Sequence, residues 1–393
     1  MTNDTEVIKL LRFPLAILVV LIHSYSVVEG YHISQINYFD LAGRDYYSLF
    51  CISFSHVLAQ VAVPLFFFIS GYLFFLNFKQ WSWAKWKEKL KRRTKTLLIP
   101  YITWITIAVL EKLFTYFAAY IIKGKPISRI GEWFQNVGGF GGIYWNDKSH
   151  MDLCTNIFGW ESYMTYPLLI PMWFLRDLMV VVLLSPVIYF LLKKIPQISL
   201  LLIGCLWVLG AGTKLPGLSF SSLFMFGLGG VFSLYSKSFV VFFKPINRWF
   251  LIAVFSMLFV LSVVFDGRST HIGQLCLHFW ILFAIPLFIR ISNYILENKK
   301  SYANKIAALA DTSFFIYAFH GRHISYVFHL LWVLFGIKTI GSSISEGYID
   351  AHPLVGIISY ILTPIITVVL CIVIFKILKR ILPPKIMMLL NGK

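Results

Sequence analysis

Two ionisable side chains, Arg12 and His23, stand inside the first long apolar stretch of the chain, Val7 to Val28. In a helix their eleven-residue separation is ~16 Å of rise at about 1.5 Å per residue, and eleven steps of about 100° close three turns plus roughly 20°. Both side chains therefore leave one face, one above the other. A guanidinium is a fork for phosphate or carboxylate oxygens. A neutral imidazole can accept a proton or act as a nucleophile. Ionisable groups in a lipid-buried helix are costly unless they meet a partner or a wet cavity, so the pair reads as a functional track. Taken singly, each has a plainer reading. Arg12 near the start of its helix can reach back to lipid headgroups, and His23 can be a core histidine bonded to a carbonyl.

Weaker, substrate-side candidates are Glu111, Arg176, Asp177 and His320. Glu111 and Lys112 are neighbours in an apolar stretch and project about 100° apart on a helix. That leaves Glu111 either to orient a catalytic histidine or to pair with a buried cation. Arg176 and Asp177 directly follow Trp173, Phe174 and Leu175; they either line an acceptor entrance or bridge two helices. His320 stands among aromatics and is a packed residue or a second site histidine, while His56 and His278 read as core. No helical H-x3-H spacing is present, so no metal site is expected. The segment 131–166 combines GGFGG at 138–142 with Tyr144, Trp145 and Trp160 and the acids Asp147, Asp152 and Glu161. Aromatic faces and scattered carboxylates suit sugar recognition; a mobile connector is the competing reading.

The elements that must position these groups are transmembrane helices. With 58% hydrophobic and 13% charged residues and a mean hydropathy of +0.76, the chain is far from the soluble average of about a quarter charged. Apolar runs of bilayer length predict an all-α, polytopic helix bundle of about ten spans: 7–28, 50–78, 97–122, 172–192, 198–213, 218–236, 249–265, 273–291, 310–336 and 354–378. No small-residue cleavage pattern follows the first, so it reads as a retained span. Cations crowd the connection between the second and third, at Lys79, Lys85, Lys87, Lys89, Lys91, Arg92, Arg93 and Lys95. By the positive-inside rule that side is cytoplasmic, as are both termini, and the segment from Lys123 to Pro171 lies outside. The chain is expected to be a single transmembrane domain over 1–393. The net charge of +18 sits in short loops beside apolar stretches, which argues against nucleic acid as a partner.

Several motifs occur in a fixed order: R-x10-H at 12 and 23, VPLFFFISGYLF at 63–74, KLKRRTKTLLIPY at 89–101, MWFLRDL at 172–178 and TSFFIYAFHG at 312–321. As an ordered set they resemble the acyltransferase-3 family of integral membrane acyltransferases, over nearly the whole chain. One departure is that many members carry R-x-x-R in the second connection, where this chain has Arg92-x-x-Lys95 or Lys89-x-x-Arg92. A lysine is a point charge without the guanidinium fork, so a mixed pair grips phosphate less rigidly.

The resemblance implies an acyl-CoA donor, most simply acetyl-CoA, used as a substrate with no bound cofactor, and a carbohydrate or glycolipid acceptor. It implies that His23 is essential, and it casts Arg12, Arg92, Arg93 and Lys95 as contacts for the donor's phosphates. Whether His23 is the general base or the acyl-carrying nucleophile stays open at this level. The expected location is a cell membrane, taken as the bacterial cytoplasmic membrane. A transporter or flippase for a glycan or small metabolite is the alternative, because it too would need intramembrane charge.

Overall fold

The computed structural model describes residues 3–29, 46–78, 80–156, 158–267, 270–334, 339–340, 348–349 and 353–392. Lys79, from the basic run, lies outside the described residues. Helices dominate, with two short antiparallel strand pairs. Among the described residues five helices are long and apolar enough to cross a membrane: 3–24, 49–75, 83–123, 271–298 and 357–381. A sixth crossing is reached if Ile170–Leu183 and Ser185–Lys194, bent by 60°, count as one broken span. Pro186, in the first turn after that bend, has no amide to carry the ladder across it. The fifth to seventh expected spans are helices of 13, 15 and 17 residues. At about 1.5 Å per residue these fall short of a hydrocarbon core of ~30 Å. The ninth, Ser313–Leu334, has the length, at 22 residues, but its apolar character is diluted by His320, Arg322, His323 and His329.

The chain divides into two compact units, each discontinuous in sequence: 1–69 with 235–377, and 70–234 with 378–393. In the first unit the Asn3–Glu29 helix packs along Ser313–Leu334. Its lower end is fixed by Asp4, which accepts from Ser238 Oγ at 2.7 Å and from the amide of Val240 at 3.2 Å, and by Asn3, whose amide donates to Asn293 at 2.6 Å. Arg248–Val264 and His271–Asn298 form an antiparallel pair joined by a tight corner at Phe265–Gly267. Residues 46–61 join the unit through a break in regular helix, a π-helical turn Ile52–Val57 followed by a 3-10 turn Leu58–Val61.

The second unit is built on close backbone approach and aromatic packing. A Cβ on Gly71 would fall 1.9 Å from the carbonyl oxygen of Phe226, so the helices carrying them touch at the backbone, and the small residue in the Ser70-Gly71-Tyr72 run is there for contact. Phe74, Phe75 and Phe78 fill the space around it with Phe226 and Tyr189. The basic helix Trp83–Arg93 runs through a π-helical turn, Thr94–Leu98, into Ile99–Lys123. Residues 384–391 close this unit. Trp104 Nε1 donates to the carbonyl of Leu390 at 2.8 Å, and Gly392, at φ +68°, sits where a Cβ would lie 2.5 Å from the Thr96 carbonyl oxygen.

Candidate active site

The first helix and Ser313–Leu334 run side by side in the same direction, which pairs their polar residues level by level. At one level the carboxylate of Asp311, in the turn that opens the second of these helices, acts on the charge of Arg12. Eleven residues further along, the ring of His23 lies beside that of His320, with centroids 5.2 Å apart and planes inclined at 46°. The same-face reading of Arg12 and His23 thus acquires a second wall. Pro14 stands two residues beyond Arg12 and has no amide for the carbonyl of Leu10, which loosens the ladder at this point of the helix.

The two imidazoles differ in surroundings. His23 is half-buried. His320 is fully buried, and its Nδ1 lies 2.9 Å from the carbonyl of Ile316, one turn back on its own helix. A carbonyl only accepts, so Nδ1 carries the hydrogen and the lone pair belongs to Nε2. That nitrogen has no hydrogen-bond partner among the described residues. A lone pair withheld from solvent beside a second imidazole can orient that ring or hold its proton for a short time.

A second polar centre lies on the break at 52–57. His56 Nδ1 is 3.1 Å from Asp266 Oδ1, across more than two hundred residues of sequence, so His56 is an acid-paired histidine and more than a core residue. The preceding residue, Ser55, donates to the carbonyl of Leu21, two residues before His23, and accepts from Tyr360. Nothing in the local sequence signals the pairing with Asp266. The one available hint was an acid and a histidine that both fall in or beside apolar stretches.

The remaining expected residues belong to the second unit. Arg176 and Asp177 are buried, and the guanidinium is fully engaged: Nε and Nη2 to Asp177 Oδ1 at 3.1 and 2.9 Å, Nη1 to the Trp145 carbonyl at 2.7 Å and Thr165 Oγ1 at 3.3 Å, and Nη2 to the Thr165 carbonyl at 2.9 Å. Five contacts use the five N–H groups an arginine has. These contacts tie the hairpin Met151–Thr155/Glu161–Thr165 and Trp145 to the Trp173–Leu183 helix.

Lys89 is turned inward onto the carbonyls of Phe74 and Leu76 at the end of the preceding helix, where a cation answers the helix C-terminus. Of the two mixed pairs in the basic run, Arg92-x-x-Lys95 is the one left exposed, with Arg93 half-buried between. Glu111 is half-buried on Ile99–Lys123, and its neighbour Lys112 lies over the Tyr116 ring. In the 131–166 segment, Asp147 is buried and held by Ser149 and His150. Asn156 accepts from the amides of Phe158 and Trp160, a turn that leaves both aromatic rings exposed. Among the described residues no group of three metal-ligating side chains converges.

Comparison with family models matches residues 6–376 to the acyltransferase domain of the acyltransferase-3 type, which is nearly the whole length. Comparison with curated proteins and with solved structures gives no match.

Proposed function

The chain belongs to the acyltransferase-3 family, and from that premise we propose that this membrane-embedded acyltransferase moves an acyl group, acetyl first, from cytoplasmic acyl-CoA to a hydroxyl of a carbohydrate or glycolipid. The observation that carries the reading is the imidazole of His23, on the helix face that also carries Arg12, lying beside the imidazole of His320 on the neighbouring helix. Acyl transfer from a thioester to an alcohol needs a group at the reacting atoms that takes the hydroxyl proton or holds the acyl group; an imidazole can do either, and His23 has that role. His320, with its hydrogen fixed on Nδ1, keeps an unbonded Nε2 lone pair next to the His23 ring. Donor phosphates fall to cations, for which the candidates are Arg12 and, in the basic run, the exposed Arg92 and Lys95 with the half-buried Arg93. The aromatic tip at Phe158 and Trp160 suits stacking against a sugar ring, on the side opposite the basic run in a bacterial-type cell membrane.

The test is twofold. Purified protein given acetyl-CoA and a glycan extract should release coenzyme A, and surface glycans from cells with and without the chain should differ by one acetyl unit. Movement of a glycan or metabolite across vesicles without coenzyme A release would make the protein a carrier instead.

A further inference from the structure

A second histidine in the first unit has an acid of its own. His56 and Asp266, 4% and 6% exposed, are joined at 3.1 Å. As mere packing the pair is hard to justify, because a buried imidazole and carboxylate give up hydration that apolar side chains of like volume would not need. Two backbone departures meet at the same place. His56 stands in the π-helical turn Ile52–Val57, a helix form concentrated at functional sites. Asp266 holds φ +45°, a left-handed conformation that a non-glycine residue adopts at a cost. The corner is pressed from behind, since a Cβ on Gly273 would lie 2.3 Å from the Asp266 carbonyl oxygen. Through Ser55 and the Leu21 carbonyl, the turn is tied to the His23 end of the first helix.

Resting on the acyl-transfer reading, we propose that His56 is the base that deprotonates the acceptor hydroxyl, that Asp266 is its positioning residue, and that His23 is the acyl carrier. Carrier and base must be different rings: a nitrogen bonded to an acyl group has given up its lone pair, and the other nitrogen of that ring becomes a feeble base. With the Nδ1 hydrogen of His56 donated to Asp266, the lone pair falls on Nε2, and a carboxylate stands beside the imidazolium that forms. Nδ1 of His320 faces the neutral carbonyl of Ile316, which offers no such counter-charge.

In the first half-reaction a His23 nitrogen attacks the thioester carbon, the C–S bond breaks, and coenzyme A leaves as the thiol with the proton the imidazole gives up. In the second, the acceptor O–H proton passes to His56 Nε2 and the oxygen bonds to the acyl carbon. The C–N bond breaks and His23 recovers a proton from His56. The sum is thioester plus alcohol giving ester plus thiol, with both histidines restored.

The experiment places the full chain in lipid nanodiscs with radiolabelled acetyl-CoA, quenched before steady state, with water and then octyl glucoside as acceptors. His56→Gln and Asp266→Asn should each free about one coenzyme A per chain and retain the label on the protein. Discharge of that label should slow by roughly 10²-fold or more in His56→Gln, and by less in Asp266→Asn, which keeps a hydrogen bond and loses the charge. His23→Gln should take up no label. Loss of labelling in both dyad variants, or discharge at the wild-type rate, overturns the proposal. Should the melting curve show that His56→Gln does not fold, the discharge rate of Asp266→Asn decides alone. A wild-type chain that frees no coenzyme A sinks the acyl-transfer reading itself, and this proposal with it.

Discussion

The Arg176–Asp177 cluster and the His23–His320 pair are both polar groups set in apolar helices, and they are finished differently. Around Arg176 every N–H has an acceptor, and the result joins a hairpin, a tryptophan and a helix. Beside His23 one buried nitrogen of His320 has no hydrogen-bond partner among the described residues. Buried polar groups are nearly always satisfied. A complete cluster specifies shape, and an incomplete one holds capacity for a proton or a reacting group. Residue type alone would rank the arginine cluster as the better site, whereas hydrogen-bond completeness reverses that order.

The contrast breaks most visibly in stability. Arg176→Gln leaves Asp177 buried without its cation and should lower stability by about 3–5 kcal/mol, read as a fall in melting temperature in detergent. Arg176→Lys should fall short as well, because three donors on a point charge cannot replace a five-donor fork. An Arg176→Gln protein that melts like wild type and loses only acceptor use would make this cluster a substrate site and dissolve the distinction.

On the other side, His23→Gln should melt as wild type does while transfer drops roughly 10²-fold or more, near 2.7 kcal/mol in barrier. Transfer within a few fold of wild type in His23→Gln would shift attention to His320. A smaller effect is expected at Arg12. Its replacement by alanine should weaken donor binding by about 1.5–3 kcal/mol, the range for hydrogen bonds to charged groups, and lysine should recover only part, by titration calorimetry with a coenzyme A thioether. Unchanged donor affinity in both would return Arg12 to a headgroup contact.

The smallest perturbation tests orientation. In a background without native cysteines, Lys87→Cys should change stability by less than about 0.5 kcal/mol, and His150→Cys by somewhat more, since it gives up a contact to the buried Asp147. A membrane-impermeant thiol reagent on intact cells should label position 150 and spare position 87. The reverse pattern would move the donor side to the other face of the membrane.

The family, the helical class and the Arg12–His23 face were legible because each is written locally, in ordered motifs, in apolar run length and in a spacing of eleven residues. The crossing count was less legible, since apolarity registers a bent pair such as 170–194 and a 13-residue helix as runs like any other. Partners that come from far along the chain were not legible at all. His56 meets Asp266, and Arg176 meets the carbonyls of Trp145 and Thr165. Backbone acceptors leave no mark in side-chain chemistry, which is why the sequence could frame two readings for Arg176 without choosing between them. Lys89 is a similar case: within a run of cations nothing distinguishes the one that turns back to cap a helix end.

The contacts of Trp104 with Leu390 and of Thr96 with Gly392 bear on how the chain is made. Residues 70–234 leave the ribosome without the segment 378–393 that completes their unit, and roughly 140 residues of the other unit must be added in between. At about 5–20 residues per second that interval is roughly 7 to 30 s. For that time the buried face of Trp104 and the tight seat at Thr96 stand open in the nascent protein, a window in which a membrane chaperone or a quality-control protease would find its target.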